Sequence, residues 1–175
     1  MLSYLDSAIA EFNRYETLGR KTMERVSDEE LFYESAKDVN SIAVIVKHLH
    51  GNMMSRWTDF LTSDGEKEWR QRDGEFEDTL STREEVYERW VEGWNLLFDV
   101  LGELNEEGMG RTVQIRGEDH SIAQAINRQL CHYAYHVGQM VILAKSFKGS
   151  EWESLSIPKG KSEEFNEKMK KSLEK

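Results

Sequence analysis

Two histidines four residues apart, His132 and His136, stand in a segment with strong helical periodicity and ring nitrogens on its apolar side. From Ser121 to Lys145, Ile122, Ala125, Gln129, His132, Tyr133, His136, Met140 and Leu143 share one stripe at about 100° per residue. Ser121 suits the N-cap and Lys145 the last turn. Imidazoles at i and i+4 project from one side of a helix, one turn apart, so they can offer two nitrogens to one metal ion. The competing assignment is a pair of hydrogen-bonded core histidines. A third ligand from another helix would decide between them.

Helix bundles assemble metal sites from inward side chains on facing helices. The segment from Ser41 to Leu61 offers His48 and His50. A helical wheel places His50 nearer the centre of the stripe through Leu49 and Met53, and His48 toward its edge beside Val44 and Ile45. The wheel leaves both open. His120 reads as a loop residue. Around the stripe, Gln129 and Gln139 suit either support of a ligand or satisfied core amides. Tyr133 suits either a hydrogen bond near a metal or plain packing. Arg56 and Arg128 could receive an anionic group, although surface ion pairs are the commoner use. No glutamate beside the histidine pair is evident. Cys131 points about 100° away from His132 and reads as a packed thiol; as the lone cysteine it excludes an internal disulfide and a cysteine-rich zinc site.

The elements that must position these groups are helical. With one proline in 175 residues, and leucine, glutamate and lysine plentiful, the chain favours an all-α domain spanning residues 1–175. The first long helix runs from Leu2 to about Val26. Ser27-Asp-Glu-Glu30 matches a capping box for a short turn, the second long helix covers 41–61, and Ser81-Thr-Arg-Glu-Glu85 opens the third. Residues 64–81 are long for a helix connection; Trp69, Phe76 and Leu80 are expected to pin them to the helices, with a lid carrying Trp69, Arg70 and Arg72 as the alternative. Arg111–Arg116 alternates and predicts a short extended segment before the fourth long helix at 121–145. Trp152, Leu155, Ile157 and Pro158 should cross one end, and residues 160–175 form an amphipathic helix or a loosely packed tail. Four such helices predict a four-helix bundle.

Charge narrows the partners. Thirty-three acidic against 23 basic residues give a net charge of −10, which disfavours nucleic acid and anionic membrane surfaces. No run approaches the ~18 apolar residues of a membrane span, and the opening residues lack a signal-peptide pattern. The cytoplasm is the expected location.

His48-Leu49 in the second long helix and His132-Tyr-Ala-Tyr-His136 in the fourth resemble the DinB/YfiT-like superfamily of metalloenzymes. The likeness is strongest over 41–66 and 119–144, and Ser156-Ile-Pro-Lys-Gly-Lys-Ser-Glu-Glu-Phe-Asn166 resembles a bacterial branch of it with no assigned activity. The resemblance implies a bundle of up-down-down-up order, commonly a homodimer. It also implies a divalent ion, zinc or nickel, held by His48, His132 and His136, and so selects His48 over His50. Characterised members include bacillithiol-dependent transferases and mycothiol-dependent isomerases. The implied function is therefore a metal-dependent S-transferase using a low-molecular-weight thiol, or a hydrolase, acting on a small molecule. Three imidazoles with an open position would lower the pKa of a bound water toward ~7 or deprotonate a thiol. Histidine ligation also predicts weaker metal retention below about pH 6. The alternative is a non-catalytic helical binding or dimerisation module with structural histidines and exposed apolar surface at Trp90, Trp94 or Trp152.

Overall fold

Ser3, Ser27, Thr82 and Ser121 each accept a backbone N–H at the start of a helix, and the acidic or amide residue three positions on returns the bond to the cap's own N–H. In the computed structural model, which describes residues 3–173, these caps open α1 (Tyr4–Glu24), α2 (Asp28–Phe32), α4 (Arg83–Glu103) and α5 (Ile122–Lys148). Ser41 caps α3 (Ile42–Trp57) through the N–H of Val44. Leu2, counted into the first apolar stripe, lies outside the described residues, as do residues 174 and 175. The chain is mostly helical, with one small two-stranded sheet. Among the described residues no helix is long and apolar enough to cross a membrane.

The four long helices meet on an aromatic centre with one ring from each. Phe12 of α1 lies 6.4 Å from Trp57 of α3, 6.3 Å from Trp94 of α4 and 5.9 Å from Tyr133 of α5, the first two edge-on. Edge-to-face contacts suit the aromatic quadrupole and add about 0.5–1.5 kcal/mol each to the burial term. Trp90 and Trp94, which the alternative of a dimerisation module placed at the surface, are 2% exposed and belong to this core. Trp152 is half-buried against it, with Arg25 over its ring.

Several boundaries differ from expectation. Helix α3 stops at Trp57 rather than Leu61 because Thr58 is extended and Asp59 is left-handed (φ 49°), its carbonyl accepting from the N–H groups of Thr62 and Ser63. The single extended segment is a hairpin: β1 (Thr112–Ile115) pairs antiparallel with β2 (Glu118–Ser121), Val113 facing His120. His120 is thus a strand residue. The turn is Arg116-Gly117, both at positive φ (57° and 74°), which matches the twist of a tight two-residue hairpin. The tail forms α6 (Ser162–Leu173), exposed along 162–172.

At Gly19 α1 packs closely against Trp90 of α4. A Cβ there would stand 2.3 Å from Trp90 Cη2 and 2.6 Å from Cζ2, and the indole is held by a hydrogen bond from Nε1 to Glu16. Alanine gains about 1 kcal/mol of helix propensity, against an overpacking cost of about 1–3 kcal/mol. With a rigid ring in the way the second should win. Gly19→Ala is expected to lower unfolding stability by about 1–2 kcal/mol in urea titration; an unchanged midpoint would show that the α1–α4 contact is loose.

Candidate metal centre

Helices α3 and α5 pack side by side and present the three predicted rings to one another. His48 Nε2 lies 3.3 Å from His132 Nε2, which lies 3.1 Å from His136 Nε2; all three ligand atoms fall within 4.8 Å of one another. His50 is elsewhere. Its ring turns toward α4, with Nε2 2.7 Å from Glu92. Two positions apart on a helix is about 200° of rotation, so only one of the pair can face α5. His120 lies outside the cluster, bonding the Glu118 carbonyl through Nδ1.

The outer nitrogens fix the tautomers. His48 Nδ1 is 2.9 Å from Glu75 Oε2, and His136 Nδ1 is 2.7 Å from Gln139 Oε1. Both partners accept, so both Nδ1 atoms carry the proton and both Nε2 lone pairs point inward. His132 Nε2 can donate to one of its neighbours at most; the other contact is then lone pair against lone pair. A shared cation would resolve this. Two nitrogens bound at 2.0–2.1 Å in tetrahedral geometry stand about 3.3–3.4 Å apart, close to the two observed separations. Burial, then the charges of His136, His48, Arg56 and Arg70, push His132 down to about 3; burial, then His48, pushes His136 down to about 4. Both rings are neutral at neutral pH, as ligation requires.

Glu75 was not foreseen. It sits in a short 3-10 turn, residues 73–76, inside the long connection, and is 6% exposed. Oε2 takes His48 Nδ1 and Arg70 Nη2, while Oε1 takes Arg70 Nε at 2.7 Å. Burial pulls its pKa upward, but the hydrogen bonds from His48 and Arg70 and the charge of Arg70 outweigh that and leave it below the ordinary carboxylate value. With its oxygens so engaged, Glu75 orients His48 rather than exchanging protons. Phe76, the next residue, stacks on the His48 ring at 4.6 Å, and Arg72 lies over Phe76. Trp69, expected to pin this segment, is 55% exposed; Phe76 and Leu80 do the packing.

Other expectations sort similarly. The Tyr133 hydroxyl accepts from Trp57 Nε1 at 3.0 Å and donates to Asn52 at 3.2 Å, and burial raises its pKa. It braces the layer beneath the histidines. Arg56 is not a surface residue: the loop after α3 folds back over it, and its guanidinium meets Glu66 at 3.1 Å and the Gly65 carbonyl. Arg128 is exposed, near His120. Cys131 is exposed rather than packed, because its 100° offset from His132 carries it to the outer side of α5. Gln129 is buried with Oε1 unpartnered among the described residues. The cluster opens into a cleft of about 480 Å³ whose wall includes Arg116, Arg128, Gln129 and Tyr135.

The family described as Protein of unknown function (DUF1572) matches residues 1–161. No curated protein matches the chain.

A Cβ on Gly51 would stand 2.4 Å from Glu75 Oε1 and 2.6 Å from its Cδ. Gly51→Ala is therefore expected to displace the carboxylate and release the His48 ring. Divalent-metal affinity, measured by competition with a chromophoric chelator, should fall about 10–100-fold with helical content retained. Unaltered affinity would mean that Glu75 does not orient the ring.

Proposed function

The chain belongs to the DUF1572 family, whose description assigns no activity, and we propose that it is a divalent-metal-dependent enzyme of the DinB/YfiT-like type acting on a small molecule. The observation that carries this is the convergence of three imidazole Nε2 atoms, two with tautomers set by acceptors behind them. His48, His132 and His136 would hold zinc or nickel, and neutral imidazole suits both. When bound, the ion would act as a Lewis acid that lowers the pKa of a water or thiol reaching its open side, which serves thiol-dependent S-transfer or hydrolysis.

The protein's own groups set the conditions for that chemistry. Glu75 and Gln139 keep the lone pairs of His48 and His136 turned inward. Phe76 covers one face of His48 and limits water there. The cleft wall supplies guanidinium and amide donors for a bound molecule. The pairing of α1 with α5 and of α3 with α4, over the shared aromatic centre, supports a four-helix bundle of up-down-down-up order in one domain. Exposed Tyr135 and Ile142 on α5 favour a self-associating face, in keeping with a homodimer. They are also the feature that would serve a non-catalytic dimerisation module.

Metal analysis of untagged protein tests the proposal. About one equivalent of zinc or nickel is expected, lost in His48→Ala, His132→Ala and His136→Ala while circular dichroism stays helical. Metal-free protein whose histidine variants are equally stable would instead support the module.

The second test is pH. In the metal-free fold His132 and His136 titrate at about 3 and 4, against ~6.5 for an unfolded histidine. Between those values the unfolded chain binds more protons, so stability rises with pH. It is fully present above about pH 6.5 and drains away as pH falls toward 4. The metal-free thermal midpoint should drop across that window, and less so in His132→Ala. Metal retention should persist below the pH ~6 expected of ordinary imidazoles and fail near 4. Release complete at pH 6 would contradict the buried neutral rings.

A further inference from the structure

The cleft beside the histidines is lined by five arginines, Arg56, Arg70, Arg72, Arg116 and Arg128, and by no aspartate or glutamate, in a chain of net charge −10. Their partners are few. Glu66 is shared by Arg56 and Arg70 at 3.1 Å and by Arg116 at 3.3 Å, and Glu75 serves Arg70 and His48. Arg72 reaches only exposed Asp73, at 4.0 Å. Arg128 has no carboxylate partner among the described residues. Three of the five guanidinium groups therefore share two inward carboxylates, Glu66 and Glu75, while Arg72 has only an exposed aspartate, which leaves the wall with an excess of positive charge. Two buried polar atoms of the same wall, Arg56 Nε and Gln129 Oε1, have no hydrogen-bond partner among the described residues. A buried polar group left unpaired is costly, and a bound molecule with an acceptor for Arg56 Nε and a donor for Gln129 Oε1 would satisfy both.

Arg116 adds an independent observation. It occupies a left-handed position (φ 57°) in the two-residue hairpin turn, where asparagine, aspartate or glycine is the usual choice. The strain is held by Asp64, whose carboxylate accepts the Arg116 N–H at 2.8 Å and the Gly117 N–H at 2.7 Å. A side chain kept on an unfavourable backbone at the rim of a cleft points to use of that side chain.

We propose that the cleft selects small organic oxyanions, with a carboxylate or phosphate received by Arg116 and Arg128 and the rest of the molecule directed toward the histidine cluster. This names the substrate class for the metal-dependent site proposed above and rests on that reading. Guanidinium groups match both anions with paired N–H donors. A cavity of about 480 Å³ suits a small molecule, and the acidic chain as a whole repels polyanions such as nucleic acid.

Calorimetric titration with malonate, inorganic phosphate and neutral malonamide, on protein as purified and after metal stripping, tests it. Malonate or phosphate should bind and malonamide should not. The tighter anion identifies carboxylate or phosphate as the recognised group. Arg128→Gln should weaken binding about tenfold and Arg128→Lys less. Arg116→Gly removes the guanidinium while relieving the backbone, so it should weaken binding without loss of thermal stability. Equal binding of malonamide, or malonate affinity unchanged in both Arg128→Gln and Arg116→Gly, overturns the proposal. Because the stripped protein keeps its arginines, anion binding without metal content would sink the metal reading alone, and metal content without anion binding would sink this one alone.

Discussion

A carboxylate buried between a loop and a helix sets the geometry on which the site depends. Glu75 has lost most of its contact with water, and an isolated carboxylate in that position would be costly enough to protonate or leave. It stays because His48 and Arg70 together direct three donors at it, and because Gly51 leaves room where any Cβ would collide with it. Each of those contacts constrains something else. His48 is fixed in ring orientation and tautomer, the connection between α3 and α4 is fastened to α3, and Phe76 is carried onto the His48 ring. Lys47 secures the same turn from outside through the Gly74 and Glu77 carbonyls and the Thr79 hydroxyl. The long connection is thus held mainly by polar contacts, which is why Trp69 need not be buried.

The aromatic centre supplies the complementary rigidity. His48 and Asn52 lie one turn apart on α3, as Gln129, Tyr133 and His136 do on α5, so the histidines continue a polar column that runs through the apolar interface. Most members of that column are paired: Trp57 with Tyr133, Tyr133 with Asn52, Arg56 with Glu66. The unpaired atoms, Arg56 Nε and Gln129 Oε1, both belong to residues lining the cleft. Burial of polar groups without partners is tolerated where a ligand completes them, and these two flank the histidine cluster; a third atom unpartnered among the described residues, Trp94 Nε1, lies in the aromatic core.

How much of this was legible depended on the range of the forces involved. Capping at Ser27, Thr82 and Ser121 and the i, i+4 histidine pair are local patterns, and the structure follows them closely. The all-α class came from the same local signals. The choice between His48 and His50 was not local: the wheel preferred His50, and only the crossing of α3 with α5 turns residue 48 inward while α4 claims residue 50 through Glu92. Glu75 was invisible for the same reason. It sits in a polar loop with no period, and its burial is decided by Arg70, His48 and Gly51, contacts with no sequence pattern beyond a glycine three residues after a candidate ligand. β2 was missed because Glu118-Asp-His-Ser121 carries no apolar alternation; its strand state is imposed by the Arg116-Gly117 turn and by pairing with β1.

The arginines and the histidines are electrostatically one system. Arg56 and Arg70 contribute to holding His132 neutral, which readies it as a ligand but also opposes a cation. Glu66 and Glu75 offset that opposition only in part, since between them they serve three of the five arginines, Arg56, Arg70 and Arg116, and one histidine. An oxyanion against Arg116 and Arg128 would supply the missing negative charge from the cleft side. A dication among the imidazoles and an anion on the wall would each reduce the cost of the other. The net charge of the chain says nothing of this, because it is the placement of carboxylates behind the arginines rather than among them that gives an acidic protein a cationic cleft.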